Sequence, residues 1–174
     1  PYGGGNQFLK SLRDGLRGSG VYEESARRAD VILFNSHQKL GEALSLKRKE
    51  PGKTFVHRVD GPVSEIRDSH TRIDGMIHRI NRVLADGTVF QTNWSRERNR
   101  ALGMHPARFE TVVMNAPDPR LFHPGEARFP DPDRKLRLVA TSWSSHPNKG
   151  FDAYRWMDEH LDFARFEMTF IGRS

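Results

Sequence analysis

The chain has 174 residues, 36% of them hydrophobic and 29% charged, which suits one large globular domain or a domain with part of another and excludes a disordered chain. Lys and Arg total 28 against 22 acidic residues, and a formal charge of +6 steers anions of every kind toward the molecule. With no cysteine there is neither a disulfide nor a thiolate metal site, and the longest strand-like apolar run, VILF at 31 to 34, is far too short to span a bilayer.

The absence of cysteine fits a reducing compartment, and no signal peptide is visible. The opening Pro1, in place of Met, leads to the expectation that residues upstream are missing.

The first element is announced by PYGGGNQFLKSL. Gly3, Gly4 and Gly5 let the backbone come close to a ligand, and Phe8, Leu9, Leu12 and Leu16 make the apolar stripe of a helix. Asn6 is placed to cap that helix, whose free N–H groups attract phosphate. The stretch lacks the G-x-G-x-x-G pattern, and a plain flexible turn is an equal reading.

Strands are predicted at 31 to 36, 53 to 59, 87 to 92, 109 to 116, 135 to 143 and 167 to 172, each bounded by Gly, Pro or polar residues. Helix-period stretches lie between them, so the chain reads as βαβ units with a parallel sheet, an α/β Rossmann-like fold. In FVHRVDGP, 55 to 62, strand alternation puts His57 and Val59 on one side and Arg58 and Asp60 on the other, at the carboxyl end where open sheets bind ligands. His57 is a candidate proton carrier or sugar ligand. The plainer alternative is an Arg58–Asp60 structural ion pair with His57 as a satisfied partner.

Residues 69 to 85 carry Ile73, Met76, Ile77, Ile80 and Leu84 at helical spacing, a stripe expected to face a core. Arg72, Arg79 and Arg82 lie mainly opposite it, as a solvated face or one that meets an anionic membrane surface. ADGTVFQTNWSRERN then offers Gln91 and Asn93 after a strand, Ser95 as the expected N-cap of a helix over 95 to 104, and Trp94 for packing.

Asn115 and Asp118 follow the fourth strand, building turns that hold a linker or lining a cleft at the domain crossing. Five prolines in APDPRLFHPGEARFPDPDR, 116 to 134, leave no room for a helix or central strand. The expected organisation is therefore a Rossmann-like domain over 1–116, lacking its first strand, a linker over 117–134, and the beginning of a second such domain over 135–174. In that second domain LVATSWSSHPNKGFDAY places Trp143, Lys149 and Gly150 between a strand and a helix, with Lys149 poised beside the helix's free N–H groups. A solvated helix start explains the same residues without a ligand.

Eight histidines are scattered without metal-ligand spacing, so no zinc site is expected and no residue is put forward as a metal ligand; nor is a P-loop or G-x-S-x-G elbow present. No recognition-helix or aromatic stacking signature points to a specific nucleic acid.

Taken in order, GGGNQFL, FVHRVDGP, ADGTVFQTNWS, VVMNAPDPRLFHP and LVATSWSSHPNKGFDAY resemble the retaining glycosyltransferases of family 4, which have the two-domain GT-B architecture. The resemblance implies transfer of a sugar from a nucleotide diphosphate sugar to a glycan or lipid-linked acceptor, without a cofactor, in a protein that is cytoplasmic or membrane-peripheral. It implies Gly3 to Gly5 near the donor phosphates, His57 and Asp60 near the reacting sugar or acceptor, and Lys149 with Gly150 at the diphosphate. Asn6, Arg58, Gln91, Asn115 and Trp143 would line the cleft.

Many members carry an Arg six residues before the lysine, where this chain has Trp143. The family's paired glutamates, E-x7-E, belong farther along the second domain than this chain reaches. The chain by itself is accordingly expected to be inactive while its full-length parent is an enzyme. The alternatives from other classes are a nucleotide-sugar epimerase of the same fold and a nonenzymatic module that binds anions or nucleic acid.

Overall fold

The computed structural model describes residues 4–67, 72–119, 123, 133–143 and 149–172. The chain divides into two compact units, Pro1–Ala116 and Pro117–Ser174. Both are α/β with parallel strands, an arrangement compatible with a Rossmann-like fold.

In the first unit, helix α1 (Gly4–Gly18) is followed by strand β1 (Val31–Asn35), α2 (Leu40–Lys49), β2 (Thr54–Val59), α3 (Val63–Arg67), α4 (Arg72–Leu84), β3 (Gly87–Phe90), α5 (Asn93–Ala101) and β4 (Phe109–Val112). The strands form one sheet in the order β1-β2-β3-β4, every pair parallel, with Phe34 opposite His57 and His57 opposite Thr88. Strand order that runs straight across a sheet through right-handed crossovers puts the connecting helices on one face. The core confirms it: Phe34, Ala43, Phe55 and Leu84 form one buried cluster, and Val59, Ile77, Phe90 and Met104 a second, both between the sheet and these helices.

The other face carries Val31, Leu33, Asn35 and Arg58, and α1 reaches it through Phe8, whose ring lies 4.2 Å from the Arg58 guanidinium carbon. The expected core-facing stripe of α1 is only half-covered. Leu9, Leu12 and Leu16 line a groove of about 800 Å³ with Val21, Val31 and Leu33.

Three sequence expectations change. Met76, placed in the core stripe of α4, is 44% exposed, because the helix turns Asp74, Ile77, Asn81 and Leu84 inward instead. Asn6 does not cap α1, which already begins at Gly4. The N-cap of α5 is Thr92, whose hydroxyl accepts from Ser95 N at 2.9 Å, while Ser95 itself is buried and donates its hydroxyl to Val59 O.

The second unit holds β5 (Leu136–Ser142), α6 (Phe151–His160) and β6 (Phe166–Gly172), a βαβ unit whose two strands pair in parallel. Phe151, Tyr154 and Phe170 pack edge to face or tilted between helix and sheet, with centroids 5.4 to 6.4 Å apart. Among its described residues only Ser142 is buried, since one crossover cannot enclose a two-stranded sheet.

Candidate functional site at the carboxyl edge of the first sheet

Arg58 is the centre of the first unit's polar architecture. It is 2% exposed, and its Nη1 donates to Asn35 Oδ1 at 2.8 Å and to Asp60 Oδ1 at 2.6 Å. Nη2 reaches Asn115 Oδ1 at 3.4 Å. Phe8 covers the guanidinium from α1, a cation–π contact strengthened by the absence of water. Side chains at the ends of β1 and β2, others just after β2 and β4, and one from α1 thus meet at the sheet's carboxyl edge, where unpaired backbone groups and helix starts ordinarily face a ligand.

Two donor groups there lack an acceptor among the described residues. Asn35 is 5% exposed, and with its oxygen committed to Arg58 its amide nitrogen is turned toward α1. A Cβ on Gly5 would lie 3.6 Å from that nitrogen, so the glycine lets the helix start come close to it. The Nε–H of Arg58 is the second. With the free N–H groups at the start of α1, they make an environment that favours an anion or a hydroxyl oxygen. Asp60, one-third exposed, is the compensating acid and the most accessible carboxylate of the group.

The Asp60-Gly61-Pro62 turn is rigidly supported. Asn99 Nδ2 donates to Asp60 O at 3.0 Å, and the Trp94 ring occupies the place where a Gly61 side chain would project, 2.5 Å from the ideal Cβ. Asp74 accepts from Val63 N and Ser64 N at 2.7 and 3.0 Å, capping α3 directly after the turn. Glu65 on α3 forms a forked ion pair with Arg98 on α5.

His57 stands on the opposite face of β2 and does not open to this edge. It is 0% exposed and stacks on Phe34 at 4.3 Å. Its Nε2–H donates to Ser36 O at 2.9 Å, and Nδ1 accepts from Asn81 Nδ2 at 3.1 Å, a nitrogen that also reaches Thr88 Oγ1 at 2.8 Å. Burial pushes its pKa down to about 4, a bond to Ser36 opposes this, and the nearby His78 adds to the lowering. The catalytic role expected of His57 therefore has no free nitrogen to serve it. The plainer alternative, an Arg58–Asp60 ion pair beside a satisfied histidine, describes these contacts.

The remaining candidates are dispersed. Gly4 and Gly5 open α1, Asn6 lines the groove beside it, and Gly3 lies outside the described residues. Gln91 follows β3, half-buried, with no hydrogen bond to the Arg58 cluster. In the second unit, Trp143 directly follows β5 at 75% exposure and Lys149 is exposed beside Gly150, which caps α6 at φ 81°, a conformation suited to glycine. Ser144 to Asn148 lie outside the described residues, as does most of the expected linker. Asp152 in the first turn of α6 is nearly fully exposed and opposes an anion at that helix start.

Asn35 and Ser36 escaped the sequence reading. Their signal was a strand that ends in polar residues at its carboxyl edge, and Ser36 also holds φ 48°, with its N–H bonded to Arg58 O at 2.7 Å. Among the described residues no group of three His, Asp or Glu side chains could hold a metal ion. No family model, curated protein or solved structure matches the chain.

Proposed function

We propose that this chain is part of a retaining glycosyltransferase of GT-B type, which moves a sugar from a nucleotide diphosphate sugar to a glycan or glycoconjugate acceptor. The observation that carries the reading is the Arg58 cluster. It draws Gly5 and Phe8, Arg58 and Asp60, and Asn115 from three separate stretches of the sequence to one sheet edge, with residues of a fourth stretch, Trp94 and Asn99, holding its turn.

Arg58, the amide of Asn35 and the start of α1 would bind oxygens of the donor. Asp60 holds Arg58 in place and offers an oxygen to an incoming hydroxyl. In the reaction the bond between the sugar's anomeric carbon and the diphosphate oxygen breaks, and the acceptor oxygen bonds to the same face as its proton passes to the departing diphosphate oxygen. Lys149 is assigned the negative charge that develops on the leaving diphosphate. His57 acts as a positioning residue by fixing the Ser36 turn beside Asn35.

The test is radiolabelled sugar transfer by the full-length parent, with a parallel incubation lacking acceptor. Transfer that falls at least about tenfold in Lys149→Ala with the fold retained, and at least about tenfold per folded molecule in the less stable Arg58→Met, is the expected result. Acceptor-independent conversion of the nucleotide sugar would assign an epimerase instead, and absence of any response to nucleotide sugars would end the proposal.

A further inference from the structure

The outer face of α4 is unusual in what it omits. Arg72, Gly75, Met76, Arg79, Arg82 and Val83 form one continuous exposed arc, with Met76 at 44% and Val83 at 63% exposure. The helix has a single acid, Asp74, and it is turned inward at 4% exposure to cap α3. Several cations elsewhere in the first unit are matched with acids, among them Arg28 with Glu23, Lys47 with Asp86, Arg98 with Glu65 and Arg100 with Glu110. Arg72, Arg79 and Arg82 have no ion-pair partner among the described residues. The neighbouring α2, packed in the same helix layer, ends in exposed Arg48 and Lys49, which have no ion-pair partner among the described residues, followed by Glu50 at its C-cap.

A merely solvated helix face gains from acids three or four residues from its bases, and none on α4 serves these arginines; Asp86, four residues after Arg82, is engaged by Lys47 and the N–H of Phe55. Exposed Met76, between Arg72 and Arg79, and Val83, beside Arg79 and Arg82 at the end of the arc, are unfavourable in water alone. Both features suit a surface that is anionic at one depth and apolar just below it. We infer that the outer face of α4, with the end of α2, docks on an anionic phospholipid bilayer. The guanidinium groups would meet headgroup phosphates, and Met76 and Val83 the upper acyl region. A nucleic acid would use the arginines and gain little from Met76 and Val83, and no aromatic side chain lies on the arc to stack on a base.

The inference does not depend on sugar transfer. It is tested by cosedimenting the 174-residue protein with phosphatidylcholine vesicles, with and without phosphatidylglycerol. Binding to the anionic vesicles alone, weakened by salt, is expected. Arg79→Glu/Arg82→Glu should lower partitioning by roughly tenfold or more at about 1 kcal/mol per basic residue. Met76→Ser/Val83→Ser should lower it about threefold or more while keeping the salt dependence. All four substituted side chains are on the surface, and circular dichroism would verify that the variants remain folded. No binding to anionic vesicles, equal binding to neutral ones, or full binding by the arginine variant would each overturn the inference, as would salt-sensitive DNA binding through these arginines with no vesicle binding.

Discussion

His57 and Arg58 are neighbours in sequence with opposite electrostatic circumstances. Pleating sends the imidazole into an apolar layer, where the neutral form is favoured, and the guanidinium into a set of oxygen acceptors, where its charge is matched. The native pKa of about 4 for His57 lies below its unfolded value near 6.5, so the unfolded chain takes up the proton first and acid destabilises the fold. This contribution is fully present above about pH 6.5 and is lost as pH falls toward 4, amounting to about 2 kcal/mol between pH 7 and pH 5. Urea unfolding at the two pH values should show this slope in the native protein and a shallower one in His57→Asn. Arg58→Met leaves Asn35 and Asp60 without their donor and should cost roughly 2–3 kcal/mol in the same assay, less than a fully buried pair because Asp60 is one-third exposed.

At the scale of elements, the α5 start and the turn after β2 act as one unit. Thr92 caps the helix that presents Trp94, Ser95 and Asn99 to the Asp60-Gly61-Pro62 turn. Removing the cap in Thr92→Ala should lower stability by about 1 kcal/mol. Gly61→Ala should cost more, roughly 1–3 kcal/mol, since its methyl meets both Trp94 and Ile66 and one of them must move. Thermal unfolding measures both. The strand positions were legible because β-rich runs between turn residues are short and sharply bounded, whereas Met76 shows the limit for helices. Its spacing admits an inward or outward position, and burial of Asp74 and Asn81 rotated it out.

At the scale of the whole molecule, the two units differ in how much they enclose. The first has two buried clusters and a supported polar edge; the second has one βαβ unit with Val139 at 64% and Trp156 at 59% exposure. On the proposed function, the 174-residue chain should bind a nucleotide diphosphate sugar weakly and turn over little of it. Brisk transfer by this chain in a radiolabel assay would contradict that expectation. Of the candidate site, the glycine turn was legible from its place before an amphipathic helix, and Arg58, Asp60 and Asn115 from their place at the carboxyl ends of strands. Asn35 was not, because its role depends on register: β1 pairs with β2 so that Asn35 stands opposite Arg58.

From its sequence alone this protein's α/β class, its parallel strands and the side of β2 on which each residue falls follow directly, because hydrophobic period and turn chemistry are local properties of the chain. Which polar side chains end with partners and which with spare donors was decided only by tertiary structure. Strands far apart in sequence had to align before Asn35, Arg58 and Asn115 could meet, and before His57 could be sealed beneath a helix.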